Sequence, residues 1–499
     1  MHARTAAAPP LRFGTKFSYG FGAVAQGVAY AGLSGTVLQY YLNQVLRVPA
    51  FMVGTAIMVS LIVDAVVDPL VGQWSDTVRT PWGRRHPFLY ASAPLGGIAF
   101  YFLWNAPQGL SGTGLMAFTL ALLVAVRIAG SLYDIPSNAL APELAPDYDA
   151  RTTLASYRFL FLVLGGVAIS VMLNGFLLRK DAAHPLGLLN RHGYEQFGGI
   201  GAIVIFGAIM LSSLGTHNRI PSLHLPPRRR VNLAGTLAAI GVTLSNPSLL
   251  SLMISGLLSG ISGGMMLGLN NYFYTHLWGL SPGQIAVLIP VTYVGSFLSV
   301  IFAPVLSKRF GKKPSMIGVF SIYLVAALTP MSLKLLGLMP ANGSPWLMPI
   351  LVVDAIIAGA LVVLGFIIVS SMVADVVEDV AVRTGVRSEG LLFATNGLLS
   401  KLTTGVGAFM AGVLLTVVRF PTHAAQGTVD PALMRHLALL YLPAHTLLTA
   451  ASIAVLFFYR IDRSTHEHNL ELLREAAALA ESALERQAES GGQPFIGGV

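Results

Sequence analysis

The chain has no cysteine at any of its 499 positions. A disulfide framework, a thiolate metal site and a cysteine nucleophile are therefore excluded at the outset. Charge is almost as scarce. Asp, Glu, Lys and Arg together make up 11% of residues, against about 25% in an ordinary soluble domain, too few to cover the water-facing surface of so long a chain. The sequence also lacks a Walker loop, a glycine fingerprint for dinucleotides and an HExxH-type zinc pair. Nothing in it supports ATP-driven work or metal-dependent hydrolysis. It does not read as an enzyme, and no cofactor is expected beyond a coupling H+ or Na+.

What is abundant is apolar length. Hydrophobic residues reach 54% and the mean hydropathy is +0.68. A helix crosses a bilayer core with about 20 mostly apolar residues, and such runs recur at 17–41, 51–73, 88–105, 113–141, 154–178 and 199–215. They resume at 248–276, 282–305, 314–336, 345–374, 390–419 and 437–460. The pattern predicts an all-α membrane protein with twelve transmembrane helices. Residues 1–16 have no apolar core of their own, which predicts an uncleaved N-terminus. Residues 17–215 form a first six-helix bundle and 248–460 a second. Residues 216–247, with Pro226, Pro227 and Arg228 to Arg230, link the two. The acidic tail 461–499 reads as a solvated or membrane-surface helix, with His466 and His468 on its surface.

A net charge of +9 can signal a nucleic-acid partner, but here the basic residues sit between the apolar runs, where they set topology. With the N-terminus inside, the inner loops hold fourteen Lys and Arg (Arg79, Arg84, Arg85, Arg151, Arg219, Arg228 to Arg230, Lys308, Arg309, Lys312, Lys313, Arg383 and Arg387) and the outer loops seven. This bias predicts both termini in the cytoplasm of a bacterial inner membrane. The expected partners are membrane lipid, a small-molecule solute and a monovalent cation, with no nucleic acid and a monomeric chain.

The two bundles repeat each other. DPLVGQWSDTVRTPWGRRHPF (68–88) is matched by APVLSKRFGKKPSM (303–316), with Gly83 answering Gly311. SNALAPELAPDYDARTTLASYR (137–158) is matched by SSMVADVVEDVAVRTGVRSEGLLFATN (370–396), with Glu143 answering Asp375. Two matches at nearly one offset argue for duplicated halves, an architecture in which one half rocks against the other around a site at the membrane midplane.

Charges inside the apolar runs are costly and mark function. Asp64 and Asp68 lie one turn apart on one helical face, as do Arg127 and Asp134 at a spacing of seven. Two carboxylates so close suit a hard cation or a shared proton, since both cannot stay ionised in low dielectric without a counter-ion. Arg127 or a bound cation supplies one. A static salt-bridge network between the two helices is the competing reading. Arg158, Asp354 and Lys401 are further intramembrane charges. Gln26 and Tyr30 are candidate solute-facing groups, as are Asn270, Asn271, Tyr272 and Tyr274. The glycines at 256, 260, 264 and 268 predict close helix packing. Near the inner boundary, Asp76, Arg84, Asp375, Glu378, Arg387 and Glu389 are candidates for a gate of breakable salt bridges.

KFSYGFGA (16–23), VDAVVDPLVGQWSDTVRTPWGRRHPF (63–88), YDIPSNALAPEL (133–144) and MVADVVEDVAVRTGVRSEGLLF with LLSK (372–401) resemble the glycoside–pentoside–hexuronide cation symporters, in particular their melibiose-permease-like members. The resemblance implies the major facilitator fold, with two pseudo-symmetric bundles, and cation-coupled import of a sugar, glycoside or sugar acid. It assigns Asp64, Asp68 and Ser131 to the cation. Asp134, Arg158, Asn138, Phe366 and Asn396 go to the solute, and Lys401, beside Arg127, to the link between the sites. It also exposes departures. Gly27 stands in place of a sugar-binding aspartate, Asn138 and Phe366 in place of tryptophans, and Val67 in place of an asparagine that helps ligate sodium. These argue against a galactoside and favour protons over sodium. The same superfamily contains a lysolipid symporter, so an amphipathic solute is the first alternative and a transport-inactive sensor or scaffold the second.

Overall fold

The computed structural model describes residues 12–145, 148–180, 186–220, 246–384, 389–424 and 427–489. Among them the chain is helical apart from its loops and one isolated bridge between Thr80 and Gly83. The first half holds α1 (Phe13–Leu33), α2 (Gly35–Val45), α3 (Ala50–Thr77), α4 (His86–Trp104), α5 (Gly112–Leu144), α6 (Ala150–Leu177) and α7 (Arg191–His217). The second holds α8 (Pro247–Leu277), α9 (Pro282–Phe310), α10 (Lys312–Leu335), α11 (Leu347–Thr384), α12 (Glu389–Val417) and α13 (Pro431–Leu456). The tail is α14 (Arg463–Glu489).

Ten of these helices are long and apolar enough to cross a bilayer individually. They become eleven when α1 and α2, bent by 41° at their break, count as one span. The expected twelve is not reached by that measure, because α4 falls short. It has 19 residues and opens on His86 and Pro87, and Tyr90, Pro94, Gly96 and Gly97 dilute its apolar character. The break between α1 and α2 is local: Ser34 takes an extended backbone (φ −61°, ψ 142°) and ends the first helix. The expected boundary near residue 374 also moves, since α11 runs unbroken to Thr384 and carries Asp375 and Glu378 on the same helix. Residues 221–245 of the expected linker lie outside the described residues.

The duplication is visible residue by residue. Ala50 and Pro282, which open α3 and α9, are 232 positions apart. So are the π-helical turns Tyr41–Val45 and Phe273–Leu277 that end α2 and α8. Gly83 and Gly311 both have positive φ, +74° and +84°, a region that side chains with a Cβ rarely enter. Behind each lies an equivalent ion pair. Glu143 accepts from Arg84 and Arg85 at 2.5 and 2.7 Å, and Asp375 from Lys312 at 2.6 Å.

The halves meet along α3 and α12, α2 and α8, and the ends of α6 and α9. Within the second half, three of the five glycines on α8 pack it closely against α12: a Cβ at Gly260, Gly264 or Gly268 would run into Thr403, Thr404 or Ala411, whereas Gly256 and Gly263 face open space. At the end of the bundle away from loop 78–85, polar contacts seal the halves. Gln44 Nε2 donates to the Pro421 carbonyl (3.0 Å), Asn271 to the Thr36 carbonyl (2.8 Å), and the Tyr272 hydroxyl to Asn43 (2.8 Å).

Candidate functional site

Below that seal, between the halves, lies a cavity of about 460 Å³. This is the size class of small-molecule sites, typically about 300–1,000 Å³. Gln26 and Tyr30 of α1, Asp64 and Asp68 of α3, and Arg127, Ser131, Asp134 and Asn138 of α5 line it from the first half. Ser400, Lys401 and Thr404 of α12 line it from the second. Helical spacing explains the arrangement: positions three, four and seven apart on one helix share a face, and each helix turns its polar face inward.

The acidic pair is fully engaged. Ser131 Oγ contacts Asp64 Oδ1 at 3.0 Å and Asp68 Oδ1 at 2.7 Å. Lys401 Nζ lies 2.8 Å from Asp64 Oδ2 and 2.5 Å from Asp68 Oδ2. The lysine ammonium therefore sits between the two carboxylates. Arg127 Nη1 is farther off, 3.8 Å from Asp64 Oδ2.

Asp134 forms a second cluster. Arg158 Nη2 reaches its Oδ1 at 3.3 Å while Nη1 donates to Ser137 Oγ at 2.6 Å. The guanidinium also lies over the rings of Tyr19 (5.7 Å) and Tyr133 (6.0 Å), and Tyr19 OH donates to the Ser137 carbonyl at 3.1 Å. Ser137 was not among the expected residues. Its position three residues after Asp134, on the same face, is the signal that could have found it. Gln26 donates to Tyr30 OH at 2.8 Å.

Several expectations need correction. Phe366 is 68% exposed and lies outside the cavity lining. Gly27 is not a vacant place at the site: a Cβ there would stand 2.1 Å from the Leu162 carbonyl oxygen, because α1 and α6 pack backbone to backbone. Among the described residues, the gate candidates pair within their own halves. Arg84 engages Asp76 (3.8 Å) and Glu143 within the first half, and Asp375 and Glu378 lie with Lys312 and His466 in the second. The hydrogen bonds and ion pairs described here between the halves lie at the Lys401 pair or beyond it toward the seal. Arg387 and the side chains of Glu389 and Asn396 lie outside the described residues. The tail is not simply solvated. His466 Nδ1 sits 2.9 Å from Glu378 Oε2 and 3.3 Å from Asp375 Oδ1, and Asn469 reaches Asp379 at 3.4 Å. His468 remains exposed.

Two helical halves related by duplication, with a charged cavity between them, define an integral-membrane carrier of the major facilitator type. A family model described as MFS/sugar transport protein matches residues 18–463, and the chain belongs to that family. It is 28% identical to an uncharacterized symporter of Synechocystis over 92% of this chain and 96% of that one. It is 26% identical to a sphingosine-1-phosphate transporter of Mus musculus over 79% of this chain and 78% of that one. With an isoprimeverose transporter of Lactiplantibacillus pentosus it shares 23% identity over 90% and 88%. Among solved structures, a nucleoside transporter aligns with a TM-score of 0.63 at 16% identity, covering 88% of this chain and 99% of that one. The chain is a transporter and not an enzyme, and the resemblance read from its motifs is borne out.

Proposed function

We propose that the protein is a cation-coupled symporter that imports a sugar, glycoside or sugar acid by alternating access, with Asp64, Asp68 and Ser131 as the coupling-ion site. The observation that carries this reading is the placement of Lys401. Its ammonium fills the point between the two carboxylates and ties α12 to α3. A proton on Asp68, or a sodium ion between the carboxylates, competes with that ammonium. Binding of the ion releases the second half from the first, and rebinding of Lys401 after ion release restores the tie. The Asp134–Arg158 cluster lines the same cavity and connects the ion to the solute.

The seal away from loop 78–85, together with the basic residues at the loop 78–85 end, fits a cavity open to the cytoplasm with both termini inside. The bacterial inner membrane and a monomeric carrier complete the reading. The likeness to a sphingosine-1-phosphate transporter favours a lysolipid as the second reading. Uptake by proteoliposomes tests the proposal: an imposed proton or sodium gradient drives accumulation of a sugar or sugar acid above its outside concentration. Accumulation that ignores both gradients contradicts it.

A further inference from the structure

Arg127 is unlike the other charges of the cavity. Lys401 touches two carboxylates, and Arg158 touches Asp134, Ser137 and two aromatic rings. Among the described residues, the Arg127 guanidinium makes no hydrogen bond. Its side chain is 12% exposed and, among the described residues, Asp64 at 3.8 Å is the one carboxylate within 4 Å of it. Nε is shut off from solvent without a partner, although a guanidinium carries five N–H donors. Asp64 does not answer this need, because its Oδ2, drawn toward Lys401 at 2.8 Å, stands 3.8 Å from Nη1, beyond hydrogen-bond distance. A buried guanidinium with unused donors, in a membrane cavity, is costly to maintain unless a ligand completes it.

The charge count points the same way. The connected site contains Asp64, Asp68 and Asp134 against Arg127, Arg158 and Lys401, three of each sign. It is neutral at rest. A coupling cation with an uncharged sugar would leave one surplus positive charge in the loaded cavity. A coupling cation with a monoanion restores neutrality. Arg127 lies four residues before Ser131 and seven before Asp134 on α5, so the unused fork sits beside both the ion site and the Asp134–Arg158 cluster.

We propose that Arg127 is the receptor for an anionic group on the transported solute, so that the cargo is a small polyhydroxylated molecule bearing one carboxylate or sulfonate, taken up with its coupling cation as a neutral pair. The planar fork suits the paired oxygens of such a group. The inference rests on the transport reading above and narrows its solute. It also requires reciprocity: the bound cation strengthens anion binding by the same factor by which the bound anion strengthens cation binding.

The experiment uses the purified full-length protein in nanodiscs and calorimetric titration with matched probes. Methyl β-D-glucuronide is compared with methyl β-D-glucoside, and 2,3-dihydroxypropane-1-sulfonate with glycerol. Glycerol 3-phosphate and a lysophospholipid serve as further arms. At least one carboxylate or sulfonate is expected to bind tenfold or more tightly than its neutral partner, and about fivefold more tightly at low pH or with sodium added. Arg127→Gln abolishes the difference, and Arg127→Lys keeps part of it. Neutral probes that bind wild-type protein as well as the anions overturn the proposal. So do an anion preference that survives in Arg127→Gln, tightest binding by the phosphate or lysolipid arm, and failure of every anionic probe to bind. The wild-type comparison stands alone if the glutamine variant does not fold. Gradient-driven uptake of a neutral sugar would sink this inference and leave the symport reading intact. Anion selectivity without gradient coupling would do the reverse.

Discussion

Lys401 Nζ stands 2.5 Å from Asp68 Oδ2, joining residues 333 positions apart and, through them, the two halves of the carrier. The same ammonium reaches Asp64 at 2.8 Å. One ammonium from the second half therefore bridges two carboxylates of the first, and the proposed ion site and the contact between the halves share one set of atoms. In the proposed symport reading that sharing would couple the two events, since an ion bound there would weaken the tie.

Removing the tie should have two separable effects. Lys401→Ala leaves the carboxylates with Ser131 and a distant guanidinium, so the protein loses about 1.5–3 kcal/mol of stability, the range for hydrogen bonds to charged groups. Its affinity for the coupling cation rises at the same time, because the competing ammonium is gone. Melting temperature with and without sodium, at two pH values, reads both. A variant that is less stable and no better stabilised by either ion contradicts the competition.

The paired clusters behind Gly83 and Gly311 predict another contrast. Glu143 serves two guanidinium groups and is 12% exposed, so Glu143→Gln strands buried charge and should cost about 3–5 kcal/mol. Asp375→Asn weakens the contacts with Lys312 and His466, both more than a quarter exposed, and should cost less. Thermal unfolding of the two variants orders them. The reverse order would contradict this reading of the two clusters.

Gly27 supplies a steric prediction. With a Cβ placed 2.1 Å from the Leu162 carbonyl, Gly27→Ala should force α1 and α6 apart and cost about 1–3 kcal/mol, the usual range for overpacking. Yield and melting temperature measure it. A neutral outcome would mean the two helices pack less closely than described.

The tail offers a prediction about pH. Asp462 accepts from the Thr465 backbone N–H at 2.8 Å, and from the Thr465 and Ser464 hydroxyls at 2.7 and 2.8 Å. These bonds hold its carboxyl down to about 2. A depressed value gives a contribution that is present above the ordinary carboxylate range and lost only as pH falls through about 2. Between pH 5 and 8 the start of α14 should therefore stay capped. Docking of α14 on α11 depends instead on His466 and Asn469, and replacing both with Ala should speed tryptic cleavage at Arg474 without changing the pH response of the cap. Cleavage unchanged by the double substitution contradicts the docking.

Much of this molecule is legible in its sequence because the membrane restricts the possibilities. Apolar runs mark helices, and the rarity of charge inside them marks Asp64, Asp68, Arg127, Asp134, Arg158 and Lys401. Spacing along α5 places Arg127, Ser131 and Asp134 on one face. What spacing cannot show is pairing across helices. That Lys401 takes the acids and leaves Arg127 with unused donors depends on how α12 seats against α8 and α3. That Gly27 is a packing contact depends on the approach of α6. Phe366 was expected at the solute on resemblance alone, and its exposed position on α11 shows how little a single aligned residue carries. His466 reads as a surface residue until the tail folds back onto α11.

The decisive measurement is accumulation of a labelled sugar acid by proteoliposomes containing wild type, Asp64→Asn or Asp68→Asn, under an imposed proton or sodium gradient and, in parallel, by exchange with no gradient. Wild type should concentrate the solute, and each Asn variant should lose at least tenfold of gradient-driven accumulation. If either variant accumulates solute at the wild-type rate, Asp64 and Asp68 are not the coupling-ion site.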